Sequence, residues 1–363
     1  MRAAALALAA AVGLAACGGD DDDATFPDAG DPNAEQCLPT EQAGVYFDPD
    51  DPCRFLSSYR FFTNSDAAAL APNDRVVPYE LNSTLFSDYS VKSRYLYLPD
   101  GETMSYDDAE SFDLPVGAAI LKTFAYPERV IETRLLYRGD DGWAGLTYVW
   151  NDEQTEARLR VAGVTFDIAG ETYLVPNINQ CKECHEETEN VVGPVGPKAR
   201  HINRDFDYGA GAENQLQHLV DIGFLTGAPA DPASTAPRAP VWDDDTTGTL
   251  DERARAYLDI NCAHCHNPAG RARTSGLDLR LTNDDLLSYG VCKPPVAAGG
   301  GSGGRQYNIV PGDPDDSILV FRMESVEPDI QMPELGRTRV HTEAVAVIRE
   351  WIAAMPGDCA VTE

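Results

Sequence analysis

The chain is poor in positive charge: 28 Lys and Arg stand against 59 Asp and Glu, a formal net charge of −31. So acidic a surface excludes nucleic acid as a ligand and favours long-range attraction to a basic partner, weakened by salt. Long apolar runs are also missing. Beyond the N-terminus no stretch approaches the roughly 20 apolar residues that a membrane span requires. Residues 17–54 have few side chains that could build a core, and they include the run Asp20 to Asp23. That composition predicts a solvated tether. Consecutive Asp residues without a Gly-pivoted loop lack the ligand geometry for calcium. From Phe55 to Val175 no catalytic constellation stands out, and Asp107, Asp108 and Glu110 read as a solvated loop rather than an acid/base pair.

Cysteine is the exception to this poverty, with nine residues. Four fall in two copies of one pattern, Cys181-Lys182-Glu183-Cys184-His185 and Cys262-Ala263-His264-Cys265-His266. Cys-x-x-Cys-His is the attachment signature of c-type haem. The two thiols add across the porphyrin vinyl groups, and the adjoining His, here His185 and His266, reaches the iron. Two covalently bound haems are therefore expected. A zinc site also uses Cys-x-x-Cys pairs, but it explains neither the His immediately after both motifs nor the compartment implied by the N-terminus.

There Arg2 precedes the apolar run Ala3 to Val12, and Leu14-Ala15-Ala16-Cys17 resembles the bacterial lipobox. Cleavage after residue 16 and acylation of Cys17 would leave an exported protein anchored by lipid. Gly18, rather than Asp, follows Cys17, which favours the outer membrane, with the body periplasmic or surface-facing. Cys37, Cys53, Cys292 and Cys359 remain. In an oxidising compartment an even remainder predicts two disulfides, and the local pairs Cys37–Cys53 and Cys292–Cys359 are the preferred connectivity.

The expected architecture has several domains. Residues 55–175 carry short β-branched and aromatic runs, among them Val91 to Leu98, Ala119 to Tyr126, Val130 to Tyr137 and Trp143 to Trp150. Arg138-Gly139-Asp140-Asp141-Gly142 marks a hairpin between two of them. Seven or eight strands over this length predict an antiparallel β-sandwich-like domain. Mainly α haem regions follow: 176–230 around the first motif, a linker at 231–248, and 249–357 around the second. No amphipathic helix precedes the first motif. Lys198, Arg200, His201 and Arg204 form a basic island that suits haem propionates or simple exposure. Glu213 to Phe224 reads as a helix with His218 off its apolar face.

The second motif is framed more fully. Thr249-Leu250-Asp251-Glu252 is a capping box opening a helix into Cys262. Asp313-Pro314-Asp315-Asp316 predicts another helix start, and Thr342 to Met355 a closing helix. Met332-Pro333 lies between these two helices and makes Met332 the candidate sixth ligand of the second iron, because a thioether opposite His stabilises ferrous iron and suits electron transfer. Met323 and Met355 are expected to pack. His264 and His341 read as structural or exposed. For the first iron His218 is the preferred sixth ligand, with His201 and Met104 as alternatives.

The helix, Cys-x-x-Cys-His, Met-Pro segment and closing helix resemble a class I cytochrome c domain. The whole chain resembles a family of bacterial dihaem c-type cytochromes with a β-rich N-terminal region and no assigned reaction. The likeness is carried by Leu85-Phe86-Ser87-Asp88-Tyr89, Tyr148-Val149-Trp150-Asn151, Asn179 to His185, Gly196 to Arg200, Tyr257 to His266 and Met332 to Gly336. It implies haem binding and redox function. The expected role is electron transfer to a redox partner protein. The alternative is a peroxidase-like oxidoreductase with an open first haem.

Overall fold

In the computed structural model, residues 44–49, 51–188, 191–296 and 298–359 are described. The N-terminal region is mostly β, and several helices follow it. Strands β1 (Val76–Tyr79), β2 (Val91–Tyr97), β4 (Ala119–Tyr126), β5 (Arg129–Gly139), β6 (Gly142–Trp150) and β7 (Ala157–Arg160) form one antiparallel sheet in that order, while β3 (Met104–Ser105) stands outside it. Short connections join β4 to β5 and β5 to β6, whereas longer segments link β1 to β2 and, through β3, β2 to β4. Gly139 pairs with Gly142 across the expected turn, and Gly142 takes a φ of +111°, open to glycine at no steric cost.

Among the described residues only one sheet has more than two strands, so no two-sheet sandwich forms there. The remaining strands are two to five residues long and pair only as two-stranded ribbons, such as β8 (Val164–Ile168) with β9 (Glu171–Val175). The second layer comes instead from irregular chain. On one face Tyr95, Leu121, Leu135 and Tyr148 pack against Leu56, Tyr59 and Phe61 from the segment before β1. On the other face Leu96 and Ile120 meet Met104, Leu216, Leu219 and Phe224 at one end. Phe124 and Val149 meet Tyr173 and Val175 at the other. The middle of this second face carries charge, and the first motif stands on it.

Five helices matter here: α1 (Ile178–His185), α2 (Gln215–Asp221), α3 (Leu250–Asn261), α4 (Ile318–Glu324) and α5 (Thr342–Ala354). Thr249 and Glu252 close the capping box on α3. The acidic Asp313–Asp316 segment does not itself begin a helix; α4 starts after Ser317, whose hydroxyl donates back to the Asp313 carbonyl. Helices α3, α4 and α5 share one core of Tyr257, Leu258, Val320, Met323, Ile348 and Ile352. Met323 thus packs, and Met355 lies against the same cluster.

This helical core is tied to the sheet region by long-range bonds. Asn261 Oδ1 accepts from the Phe86 amide at 2.7 Å. Asp88, buried, accepts from the Thr338 and Arg339 amides at 2.9 Å. His341 stacks on Phe86 with centroids 4.2 Å apart and hydrogen-bonds the Tyr257 hydroxyl, so it is a packing residue of this seam. A disulfide joins Cys292 to Cys359. Cys53 is disulfide-bonded as well. Cys17 and Cys37 lie outside the described residues, as do the expected signal segment and most of the tether. No helix among the described residues is long and apolar enough to cross a membrane.

Candidate cofactor site

Pro176 ends the run of β9, and Asn177 then caps α1: its side chain accepts from the Asn179 and Gln180 amides while Gln180 reaches back to the Asn177 amide. The first motif is therefore itself helical, which explains why no helix precedes it. Cys181 stands over Gly145 of β6, where an added Cβ would lie 3.7 Å from the Cys181 Cβ. The second motif leaves the end of α3 in a tight turn. Gly270 is obligatory in the loop behind it, since a Cβ there would come within 2.5 Å of the Cys265 carbonyl oxygen.

The two motifs meet. Cys265 Sγ lies 3.6 Å from the Glu183 carbonyl oxygen, and Arg271 bridges to Glu183 and Glu186 at 3.6 and 3.4 Å. A cavity of about 260 Å³ lies at this junction. Cys262, Cys265, His266 and Met332 line it, with Glu183 and Cys184 from the first motif. The rest of its wall is mainly apolar, including Leu279, Ile309, Ile318 and Leu335.

Both motif histidines are oriented alike. His185 Nδ1 lies 3.0 Å from the Gly193 carbonyl, which can only accept, so Nδ1 carries the proton and Nε2 keeps its lone pair. His266 Nδ1 lies 3.1 Å from Ser275 Oγ, and that hydroxyl spends its own proton on the Ala272 carbonyl at 2.7 Å. It therefore accepts from His266, with the same tautomer. Burial holds both rings neutral, pushing each down to about 4. A hydrogen bond at Nδ1 of this kind fixes the ring and leaves the Nε2 lone pair available to a metal.

The four motif thiols are free. Burial pushes Cys262 and Cys265 up to about 12 and raises Cys181 and Cys184. Among the described residues no three His, Cys, Asp or Glu side chains converge as they would around a bare ion. The donor set fits a porphyrin attached through uncharged thioethers, which suit burial, better than a thiolate cage.

Met332 reaches this cavity on a loop held by two arginines. Arg337, buried, donates to the carbonyls of Met332 and Ser325 at 2.8 Å, and Arg322 Nε donates to the Ile330 carbonyl at 2.8 Å. These positioning residues were not identified from sequence, because an Arg that serves backbone carbonyls leaves no motif. His264 also lines the cavity; its Nδ1 is buried without a partner.

His218, the sixth ligand expected beside the first motif, and its alternatives Met104 and His201 have these surroundings. His218 on α2 stacks on Tyr208 with centroids 3.5 Å apart, and its Nδ1 meets Glu213 at 2.9 Å. Met104 is fully buried beside Phe224 and Leu225. His201 Nε2 is bonded to Asp259 at 2.9 Å. Among the described residues no hydrogen bond, ion pair or ring contact joins any of the three to either motif. The basic island has carboxylate partners of its own: Lys198 pairs with Glu110, Arg200 with Asp259 and Arg204 with Glu80.

The cations near the first motif come instead from the sheet. Arg94, Lys122 and Arg134 occupy one rung across β2, β4 and β5 and therefore share a face, with Lys92 two residues along β2. Burial and the neighbouring Arg94 and Arg134 push Lys92 down to about 7; Lys122 falls well below the usual lysine range for the same reasons. Lys92 and Arg94, alternating along β2, were the available sequence signal. No family model, curated protein or solved structure matches the chain.

Proposed function

We propose that the chain is a dihaem c-type cytochrome working in electron transfer, with haems carried by Cys181 and Cys184 and by Cys262 and Cys265. The observation that carries this reading is the preset tautomer of His185 and His266, each with Nδ1 engaged and Nε2 free, beside paired buried thiols. Met332 would complete the second site from the same cavity. Bound haem supplies one-electron chemistry at a potential set by its axial ligands and surroundings. The chain's own part is to hold the two imidazoles in one tautomer, to fix the Met332 loop through Arg337 and Arg322, and to exclude water with an apolar wall. The contact of the two motifs suits passage of electrons between them. Export and lipidation at Cys17, an outer-membrane location and a basic redox partner complete the reading.

A peroxidase-like oxidoreductase is the second reading, favoured by one observation: among the described residues no hydrogen bond, ion pair or ring contact brings His218, Met104 or His201 to the first motif. Protein produced with cytochrome c maturation machinery tests both. About two haems per chain by pyridine haemochrome are expected; a colourless, zinc-loaded product refutes the proposal. Low-spin spectra for both haems, with no peroxide turnover when half-reduced, support the carrier. A high-spin haem that binds cyanide and turns over peroxide supports the enzyme.

A further inference from the structure

The charged middle of the sheet face has cations in excess. Arg94 is 5 % exposed, and its Nη2 is buried with no partner, while Nη1 makes only a 3.3 Å contact to the Lys92 carbonyl. Lys92 donates to the Ser90 carbonyl. Among the described residues no carboxylate forms an ion pair with Lys92, Arg94 or Lys122. The acids closest to them are engaged elsewhere. Glu132, fully buried, holds Arg134 through both oxygens at 2.6 and 2.9 Å and accepts from the Tyr173 hydroxyl at 2.6 Å. Asp88 is taken by the Thr338 and Arg339 amides, and Glu80 by Arg204.

Gathering cations with no counter-charge is costly, the more so in a chain whose net charge is −31. Such a cluster persists where an anion completes it. The patch lies against the first motif: Cys181 stands over Gly145 of β6, two residues along from Thr147, which pairs with Arg134 in the rung that holds Arg94 and Lys122. A planar guanidinium beside two lysine side chains matches carboxylate oxygens.

We propose that Lys92, Arg94 and Lys122 form a carboxylate cradle beside the first motif, and that its occupant is the propionate pair of the haem carried by Cys181 and Cys184. This rests on the dihaem reading above. It transfers to the sheet the role expected of the basic island at Lys198 to Arg204, which spends its charge on Glu110, Asp259 and Glu80. The cradle neutralises the propionates and opposes the extra positive charge of ferric iron, and so raises the potential of the first haem.

The test uses full-length, haem-loaded protein and the variants Arg94→Met and Lys122→Met, with the half-buried Lys92→Met as the milder change should these two not accumulate. Resonance Raman should show a shift of the propionate bending band of one haem, and redox titration a fall in the midpoint potential of that haem only. Lys198→Met, whose partner is Glu110, should move neither. Unmoved bands and potentials in two-haem variants overturn the cradle, as does an equal shift in Lys198→Met. Inorganic phosphate that perturbs the wild-type first haem but not Arg94→Met would assign the cradle to a free anion and overturn the occupant. Haem count separates the claims: fewer than two haems in the wild type overturns the dihaem reading itself.

Discussion

Asp259→Asn removes the hub of a buried ion network that joins Arg200 and His201 to α3. Asp259 lies on α3, one turn before the second motif, and is 5 % exposed. Its carboxylate accepts from Arg200 Nε at 2.7 Å and Nη2 at 3.1 Å, from His201 Nε2 at 2.9 Å and from the Leu281 amide at 3.0 Å. Burial alone would raise its pKa, but the bonds from His201 and Arg200 more than offset this and hold it below the usual carboxylate range. Asn keeps the shape but leaves Arg200, itself 5 % exposed, as an uncompensated buried charge. Breaking such a pair costs about 3–5 kcal/mol, or about 4–7 °C in Tm for a chain of this size. The pH dependence has a definite sign. A folded pKa below the unfolded one gives stability that is present above the unfolded value, about 3.9, and is lost as pH falls through the folded value. The gap between wild type and Asp259→Asn should therefore be constant at neutral pH and narrow below about pH 4. Urea denaturation followed by circular dichroism measures it. A loss under about 1 kcal/mol, the range of exposed pairs, would refute the reasoning. Replacing Arg200 and Asp259 together by apolar residues should recover much of the loss, because no charge is then stranded.

Met332→Ala in haem-loaded protein should abolish a sulfur-to-iron charge-transfer band and lower the potential of the second haem; a wild type lacking the band removes Met332 as ligand. Cys292→Ser opens a cross-link spanning 67 residues that anchors the end of the chain beyond α5. It should cost about 2–4 kcal/mol in denaturant titrations under oxidising conditions, and nothing under reduction, where the wild type loses the bond too.

Local signals were legible. The capping box at Thr249, the hairpin at Gly139 to Gly142 and the helix before Cys262 are written in residues a few positions apart. The two motifs and Met332 were readable as types of chemistry at fixed spacing. What stayed hidden depends on registry between distant segments. Arg94, Lys122 and Arg134 become neighbours only because β2, β4 and β5 pair in one register, and no short window contains all three. The sandwich expectation counted strands correctly as β but could not tell that those after β7 are too short to make a second sheet. His218 was chosen for its place on a helix face; the Tyr208 ring and Glu213 that occupy it became visible only in three dimensions. Ser275 and Gly193 fix the motif histidines through a hydroxyl and a main-chain carbonyl, groups too common to single out in a sequence.

The bonds from Phe86 to Asn261 and from Asp88 to Thr338 have a consequence for timing. They join partners 175 and 250 positions apart. A chain emerging from its N-terminus makes the sheet early, but Asp88 stays without these partners until Thr338 and Arg339 arrive. Closing loops of that length is entropically slow to begin. The sheet can form by local hairpins; its seam cannot. A protein stopped short of residue 338 would keep an ordered sheet with an open, charged and partly apolar flank, the kind of half-finished surface that aggregates or is degraded. Commitment to the native state thus belongs to the segment in which Thr338, Arg339 and His341 arrive together.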